Sequence, residues 1–517
     1  MNSRTDNTIK NIQYAILMQI VNILIRFIVR TTFIHSLGIA YLGLGNVFNN
    51  ILNVLSLAEL GIGTSIIYDM YKPIAENNTY LISQLLYFYR KIYAFIGWLI
   101  ISIGLIIIPF LPYFLTDIYM FENVYLIYLL HVIYSSSSYF FAHYRSLFTA
   151  YQLERINSKN TTVIMLLRTA GEIFVLIVTR DYIYYIFVQV VITIWGNYLI
   201  MKKAKKMFPQ IMQKVEKLDN IKVKNILHNA FNMFSIKVGQ TVLSSTDNIL
   251  ISAYISTVIS GIYGNYNMIT QLLLSTMFML ETAISASIGN LCIENKNNYS
   301  KKYYVFQRIR FGYSFLLGIM STCLFILFNP FIELWLGQKY ILNNMTVLII
   351  VINFYLSGIR QPLEAFINAD GLFRYFRIKP WIEVFINLTL SIIAVKLCGL
   401  IGIFIGTTIS HILTTLWYDA YVVYKYSFSQ KVRLYIALFF KNIFLTLISM
   451  GIVYFVKSHI IHVTFVSFMS LSFISLLVSF SIFTLVYFKT SEFQDIKLLL
   501  INRLFQHKEF KDERNIL

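Results

Sequence analysis
Four polar residues, Gln19, Asn22, Arg26 and Arg30, interrupt the otherwise apolar run NIQYAILMQIVNILIRFIVRTTFIHSLG. Their spacings of three, four and four place them within an arc of roughly 80° on a helix, so they share one face. An arginine near a bilayer centre costs about 2.5–3.5 kcal/mol on insertion scales, a cost tolerated where the residue meets a wet cavity or a partner instead of lipid. Two arginines one turn apart repel unless an anion or water lies between them. The stripe therefore reads as the wall of an aqueous cavity for an anionic substrate. The alternative is snorkelling from the helix ends, or helix packing. Arg26 lies more than a turn inside the run, which favours the cavity.

Such a face needs a membrane protein to carry it. Of the 517 residues, 57% are hydrophobic and 13% charged, with a mean hydropathy of +0.65. That composition excludes an ordinary soluble domain. The chain repeatedly supplies apolar runs of the length a helix needs to cross the hydrocarbon core, about 20 residues. We read fourteen membrane helices, at approximately 11–35, 41–70, 86–111, 121–150, 160–179, 182–201, 226–254, 260–290, 303–329, 341–369, 376–397, 400–424, 432–456 and 462–488. The first run is too long for a cleavable signal and no small-residue cleavage motif follows it. Cys292, Cys323 and Cys398 lie in or beside apolar segments and offer neither a disulfide framework nor metal-ligand spacing.

The net charge of +19 is explained by where the cations sit. With the N-terminus inside, cytoplasmic segments hold 32 of the 43 Lys and Arg residues, and outer loops hold only Arg180, Lys339, Lys396 and Lys457. This bias predicts cytoplasmic termini and an even helix count. It removes the need for a nucleic-acid partner. The lysine-rich linker MKKAKKMFPQIMQKVEKLDNIKVKN reads as a topology determinant near anionic lipid.

The sequence also carries an internal echo. A shift of 222 residues lays Glu59-Leu-Gly-Ile-Gly-Thr-Ser-Ile66 on Glu281-Thr-Ala-Ile-Ser-Ala-Ser-Ile288, and Tyr41 on Tyr263. A shift of 221 lays Gly97 on Gly318 and Pro109-Phe110 on Pro330-Phe331. At the first shift, Gln19, Asn22, Arg26 and Arg30 fall on Thr241, Ser244, Asn248 and Ser252, all polar, and Lys237 lies one turn earlier on the same face. These collinear matches imply a parallel duplication of six helices. The expected fold is an all-α integral membrane protein with two pseudo-symmetric six-helix lobes around a central cavity. The division is a first lobe over 1–201, a basic cytoplasmic linker over 202–225, a second lobe over 226–428, two added helices over 429–490 and a cytoplasmic tail over 491–517. The candidate substrate-binding set is Gln19, Asn22, Arg26, Arg30, Lys237, Ser244 and Asn248.

Other charged positions carry two readings each. Arg168 and Glu172 are four apart, as are Arg360 and Glu364, and each couple is either an intrahelical ion pair neutralised within the membrane or part of coupling or gating. Asp247 stands about 100° off the second stripe. It is a candidate for ion or proton coupling. Glu59 and Glu281 suit a shared packing turn, and Arg145 suits snorkelling near the inner interface. Imidazole is the side chain whose ordinary range lies near neutral pH, which raises His35, His131, His143 and His411 as candidates, but a lone membrane histidine is more often a hydrogen-bonded packing residue, and none is assigned a role.

The stretch RTTFIHSLGIAYLGLGNVFNNILNVLSLAELGIGTSIIYDMYKPIAE resembles the start of the Wzx-type polysaccharide repeat-unit flippases, within the MATE-like superfamily of multidrug and oligosaccharidyl-lipid exporters. The stretch NADGLFRYFRIKPWIEVFINLTLSIIAVKLCGLIGIFIGTTIS is similar to their tenth-to-twelfth helix region. The resemblance implies two six-helix lobes plus two further helices, and export of an undecaprenyl-diphosphate-linked oligosaccharide from the inner to the outer leaflet of a bacterial plasma membrane. It implies alternating access without a bound cofactor, with H+ or Na+ gradients proposed as drivers for relatives. It also implies a setting of capsule or O-antigen synthesis, with glycosyltransferases and a polysaccharide polymerase as neighbours. The residues agree: arginine suits a diphosphate, and amides and hydroxyls on the same faces suit sugar hydroxyls.

Missing motifs narrow the field. No G-x-x-x-x-G-K-[ST], H-E-x-x-H or G-x-S-x-G sequence occurs. The short outer loops argue against an integral polysaccharide polymerase. A drug/cation antiporter of the same superfamily would prefer acidic residues where this stripe is basic. A lipid-linked peptidoglycan-precursor flippase shares the expected fold and the anionic cargo, and is the nearest alternative.

Overall fold
The computed structural model describes residues 4–498, apart from 60–61, 213–217, 296–297 and 461, and leaves undescribed the side chains of 4–20, 58, 64, 220–222, 225, 228–237, 240, 283 and 286. Among the described residues the secondary structure is helical, with no strand. The chain separates into two compact units, Met1–Asn265 and Tyr266–Leu517.

The first unit holds α1 (Arg4–Leu37), α2 (Ile39–Leu55), α3 (Ile62–Ala75), α4 (Thr79–Ile107), α5 (Leu111–Phe114), α6 (Val124–Ser137), α7 (Ala142–Ala150), α8 (Glu154–Val178), α9 (Tyr182–Met207), α10 (Asn220–Tyr254) and the start of α11 (Thr257–Glu294). In the second, α11 is followed by α12 (Tyr299–Leu336), α13 (Asn344–Ile359), α14 (Gln361–Ala369), α15 (Lys379–Cys398), α16 (Leu400–Ser410), α17 (Leu416–Tyr426), α18 (Arg433–Lys457) and α19 (Phe465–Tyr487). Among the described residues ten helical stretches are long and apolar enough to cross a membrane, and the bent pair Thr257–Thr282 with Ser287–Glu294 is an eleventh when counted as one span. The expected spans at 11–35 and 226–254 coincide with α1 and α10, which run partly through undescribed side chains. The expected span at 41–70 is divided, because a 3-10 turn over Ser56–Glu59 separates α2 from α3.

Local chemistry sets the helix ends. Asn78, Asp181, Asn298 and Asn343 each accept a hydrogen bond from a backbone N–H in the first turn of the helix they precede. This satisfies one of the donors that a helix start leaves free. Thr464 and Ser467 form a reciprocal capping box ahead of α19. The span over 344–369 breaks at Arg360, between α13 and α14, where Pro362 removes a backbone donor.

Lipid is as apolar as leucine, so these helices are held by close packing and interhelical hydrogen bonds rather than by water exclusion. In the first unit Gly43 of α2 meets the start of α11 so closely that a Cβ there would overlap the Thr257 carbonyl oxygen. A Cβ at Gly261 would overlap the Ile39 carbonyl oxygen. In the second unit Phe306, Phe366, Tyr424 and Phe428 are buried together, with Phe306 and Phe428 centroids 4.8 Å apart. Each such aromatic pair adds about 0.5–1.5 kcal/mol beyond its buried area. The helices α18 and α19 both lie on α12, where Gly318 receives the ring of Phe483.

The two glutamates that the 222-residue shift aligns each have a tyrosine nearby. Tyr93 of α4 donates a 2.8 Å hydrogen bond to Glu59 Oε1, and Tyr313 of α12 stands beside Glu281. The two tyrosines are 220 residues apart, close to the repeat shift.

Candidate functional site
The stripe on α1 enters the first unit at Arg30. Its Nε donates to Asn265 Oδ1 at 2.8 Å, while its Nη2 is buried without a hydrogen-bond partner. The Asn265 amide nitrogen and the Asn22 carbonyl oxygen are likewise buried and unpartnered. Arg26, one turn away, is exposed. Among the described residues no carboxylate lies within ion-pair distance, 4.0 Å, of Arg26 or Arg30. Gln19 and Lys237 lie on α1 and α10, but their side chains fall outside the described residues.

The second stripe divides. Asn248 is buried and accepts from Ser260 Oγ at 3.4 Å, and the Ser260 carbonyl accepts from Asn46 Nδ2 at 3.4 Å. Asn46 Nδ2 and Arg30 Nη2 both border Gly264, where a side chain would collide with them. Asn248, Asn46, Arg30 and Asn265 thus gather on the first turns of α11, within the first unit. Ser244 instead is exposed and bonds back to the Thr241 carbonyl at 3.0 Å, apart from this group. Asp247 stands beside Tyr263.

Tyr185 of α9 extends the polar group. It is near Arg30 on one side, and near Tyr134, Arg168 and Glu172 on the other. Arg168 Nη1 donates to the Tyr134 hydroxyl at 2.7 Å, and its Nε lies 3.5 Å from Glu172 Oε1. The structure therefore links the α8 ion pair to Arg30 through Tyr185. Arg145, expected to snorkel, also has protein partners: Nη2 donates to Asn160 and Asn197 Oδ1 at 3.0 and 3.1 Å. Two amides on neighbouring helices hold the half-buried guanidinium.

The second unit gathers a separate charged cluster. Arg360 Nη2 is 3.1 Å from Glu364 Oε1, and its Nε donates to Asp419 Oδ2 at 2.9 Å. Lys379 Nζ sits 2.7 Å from Asp419 Oδ1 and 3.5 Å from Glu383 Oε2. Asp419, Lys379 and Glu383 are nearly closed to solvent. Sequence reading found the four-residue couple but not the partners from α15 and α17, whose contacts depend on tertiary packing. Asn46, Asn265 and Tyr185 were missed as well. No one-dimensional signal singles them out: Gly-Asn stands at 45–46 and 264–265 but recurs at 196–197 and 289–290.

Among solved structures, the chain is similar to an inward-facing multidrug resistance MATE family transporter of the MOP superfamily. The TM-score is 0.60 at 12% identity, covering 77% of this chain and 94% of that one. It is similar also to the lipid II flippase MurJ in an inward closed conformation, with a TM-score of 0.59 at 15% identity, covering 90% of this chain and 99% of that one. The chain has the MATE/MurJ fold. No family model matches it, and no curated protein matches it by sequence. With this fold and its apolar helices, the chain is a multi-pass membrane protein.

Proposed function
We propose that this protein is a flippase. It carries an undecaprenyl-diphosphate-linked oligosaccharide repeat unit from the inner to the outer leaflet of a bacterial plasma membrane by alternating access, for cell-surface polysaccharide synthesis. The observation that carries the reading is the pair Arg26 and Arg30, cations on an apolar helix with no carboxylate in ion-pair distance among the described residues. A charge placed at that cost without a protein counter-ion calls for an anionic ligand, and a diphosphate suits the planar guanidinium. Asn22, Asn46 and Asn248 supply amides for sugar hydroxyls, Ser244 supplies a hydroxyl, and Lys237 and Gln19 belong to the same proposed lining. Arg168 and Glu172 are linked to it through Tyr185 and fit a gating role there. The fold shared with transporters supports the class of activity, and the resemblance of the 30–76 and 368–410 stretches supports the cargo. The lobes are 1–201 and 226–428, and both termini are cytoplasmic.

A second reading, a flippase for a peptidoglycan precursor, is favoured by the near-complete overlap with the lipid II flippase MurJ. A drug/cation antiporter fits less well because the stripe is basic. The test is reconstitution of the full chain in proteoliposomes with a fluorescent undecaprenyl-diphosphate oligosaccharide or lipid II in the inner leaflet. The proposal expects outward appearance of the repeat-unit lipid. Translocation of lipid II alone supports the second reading, and translocation of neither overturns both.

A further inference from the structure
His411 opens the one stretch of π-helix among the described residues, His411–Thr415, between α16 and α17. Single π turns inside α-helices are uncommon and concentrate at functional sites. This one closes on a carboxylate: Thr415 Oγ1 donates to Glu383 Oε1 at 2.7 Å, and His411 Nδ1 lies 3.2 Å from the same oxygen. The imidazole contact is within ion-pair range but off the line of a hydrogen bond. The same holds for Lys379 Nζ and Asp419 Oδ1, which are close in space yet unaligned. The cluster is thus dense in charge and short of aligned hydrogen bonds. It borders a small cavity whose wall includes Arg360, His411, Thr415 and Tyr435.

The charges facing His411 can be taken element by element. From α15 come Lys379 and Glu383, from α17 Asp419, from the α13–α14 junction Arg360 and Glu364, and from α18 the neutral Tyr435. Two cations meet three carboxylates, which leaves one negative charge unbalanced when His411 is neutral. Further out, Glu281 beside Glu364 and Arg310 beside Tyr435 add one charge of each sign. A buried excess charge is expensive, and imidazole is the side chain here whose ordinary range lies nearest neutral pH.

We propose that His411 and Glu383 form a proton-binding site. A proton arriving as hydronium adds to the unprotonated imidazole nitrogen: one O–H bond breaks, one N–H bond forms, neutral water is left, and the cluster becomes electrically balanced. The imidazolium then pairs with Glu383, leaving the Lys379 ammonium to Asp419 and so to the Arg360 break between α13 and α14. The binding stands on this geometry alone. Its use to drive transport rests on the flippase reading, so a titration that reads His411 directly separates the failure of one from the failure of the other.

The experiment is 13C/15N NMR of the full chain in lipid nanodiscs with labelled histidine, the His411 signals assigned by their loss in His411→Gln. The proposal expects reversible protonation of His411 between about pH 5 and 8. Glu383→Gln keeps an acceptor for Thr415 while removing the charge that favours the imidazolium. It should weaken proton affinity about tenfold, moving the midpoint to lower pH by about one unit. A His411 signal that does not change over this range in the parental chain overturns the proposal, whether or not the variant folds. So does a midpoint that Glu383→Gln leaves in place. A shift reproduced by Na+ at fixed pH assigns the site to a metal cation instead and overturns it equally.

Discussion
Arg30 Nε donates to Asn265 Oδ1 across 235 positions of sequence, and Arg30 Nη2 is left buried with no hydrogen-bond partner. Asn265 orients the guanidinium without neutralising it, and under the proposed function the charge meets the anionic ligand. Arg30→Gln should therefore lower apparent affinity for the lipid-linked diphosphate by about tenfold or more, the equivalent of one charge-assisted hydrogen bond of about 1.5–3 kcal/mol. Insertion should be unimpaired, because glutamine costs less than arginine in the membrane. Arg30→Lys should keep part of the activity, since charge survives and the bidentate fork is lost. Arg30→Asp should do worst, and the same order should hold at Arg26. Export normalised to protein in the membrane is the measurement. Parental rates in both Gln variants would reduce the stripe to a packing feature.

Asp419 is closed to solvent and touches both Arg360 and Lys379. A buried carboxylate that loses a partner is costly, about 3–5 kcal/mol where the pair is fully enclosed. Arg360 is about a fifth exposed, so the lower end applies. Arg360→Leu should lower the thermal midpoint of the purified protein. Replacing Glu364 with Leu as well should restore part of it, because that removes one of the carboxylates Arg360 served. Thermal unfolding followed by tryptophan fluorescence reads both. Equal midpoints but equal loss of export in single and double variants would place these residues in transport itself.

Gly43 and Gly261 face each other's helices with backbone against backbone, and no side-chain rotation relieves a methyl group there. Alanine at either position should separate α2 from the start of α11. The expected outcome is sharply reduced protein in the membrane and a lowered midpoint. Gly451 in α18 has open space around its Cβ position, and alanine there should be neutral or gain about 0.5–1 kcal/mol from helix propensity. Parental abundance and midpoint in Gly43→Ala would contradict the close approach.

These particulars show what the sequence displays and what it hides. Apolar runs of membrane length are one-dimensional signals, so the all-helical membrane architecture was legible. The two couples at four-residue spacing were legible for the same reason, and both lie in contact range, at 3.5 and 3.1 Å. The span at 41–70 was not readable as two helices, since the Ser56–Glu59 turn carries no proline. Asp419, Lys379 and His411 were not readable as one cluster. They come from three segments whose separation in sequence carries no period. Asn265 likewise becomes a partner of Arg30 only when α11 is packed.

Orientation is carried by charge, and it is open to direct test. The outer loops of the expected arrangement hold four cations against 32 in the inner segments, a bias that sets topology through the cost of translocating positive charge. The three cysteines are free, so replacing Cys292, Cys323 and Cys398 gives a background without thiols. Single cysteines are then introduced as Val215→Cys in the basic linker, Phe510→Cys in the tail and Lys339→Cys in the Gly337–Ile341 turn. An impermeant maleimide added to intact cells should label the variant at 339 only, and the other two should react after the membrane is opened. Labelling at 215 or 510 from outside would overturn the cytoplasmic placement of linker or tail. With it would go the even helix count and the assignment of the basic segments to the anionic inner leaflet.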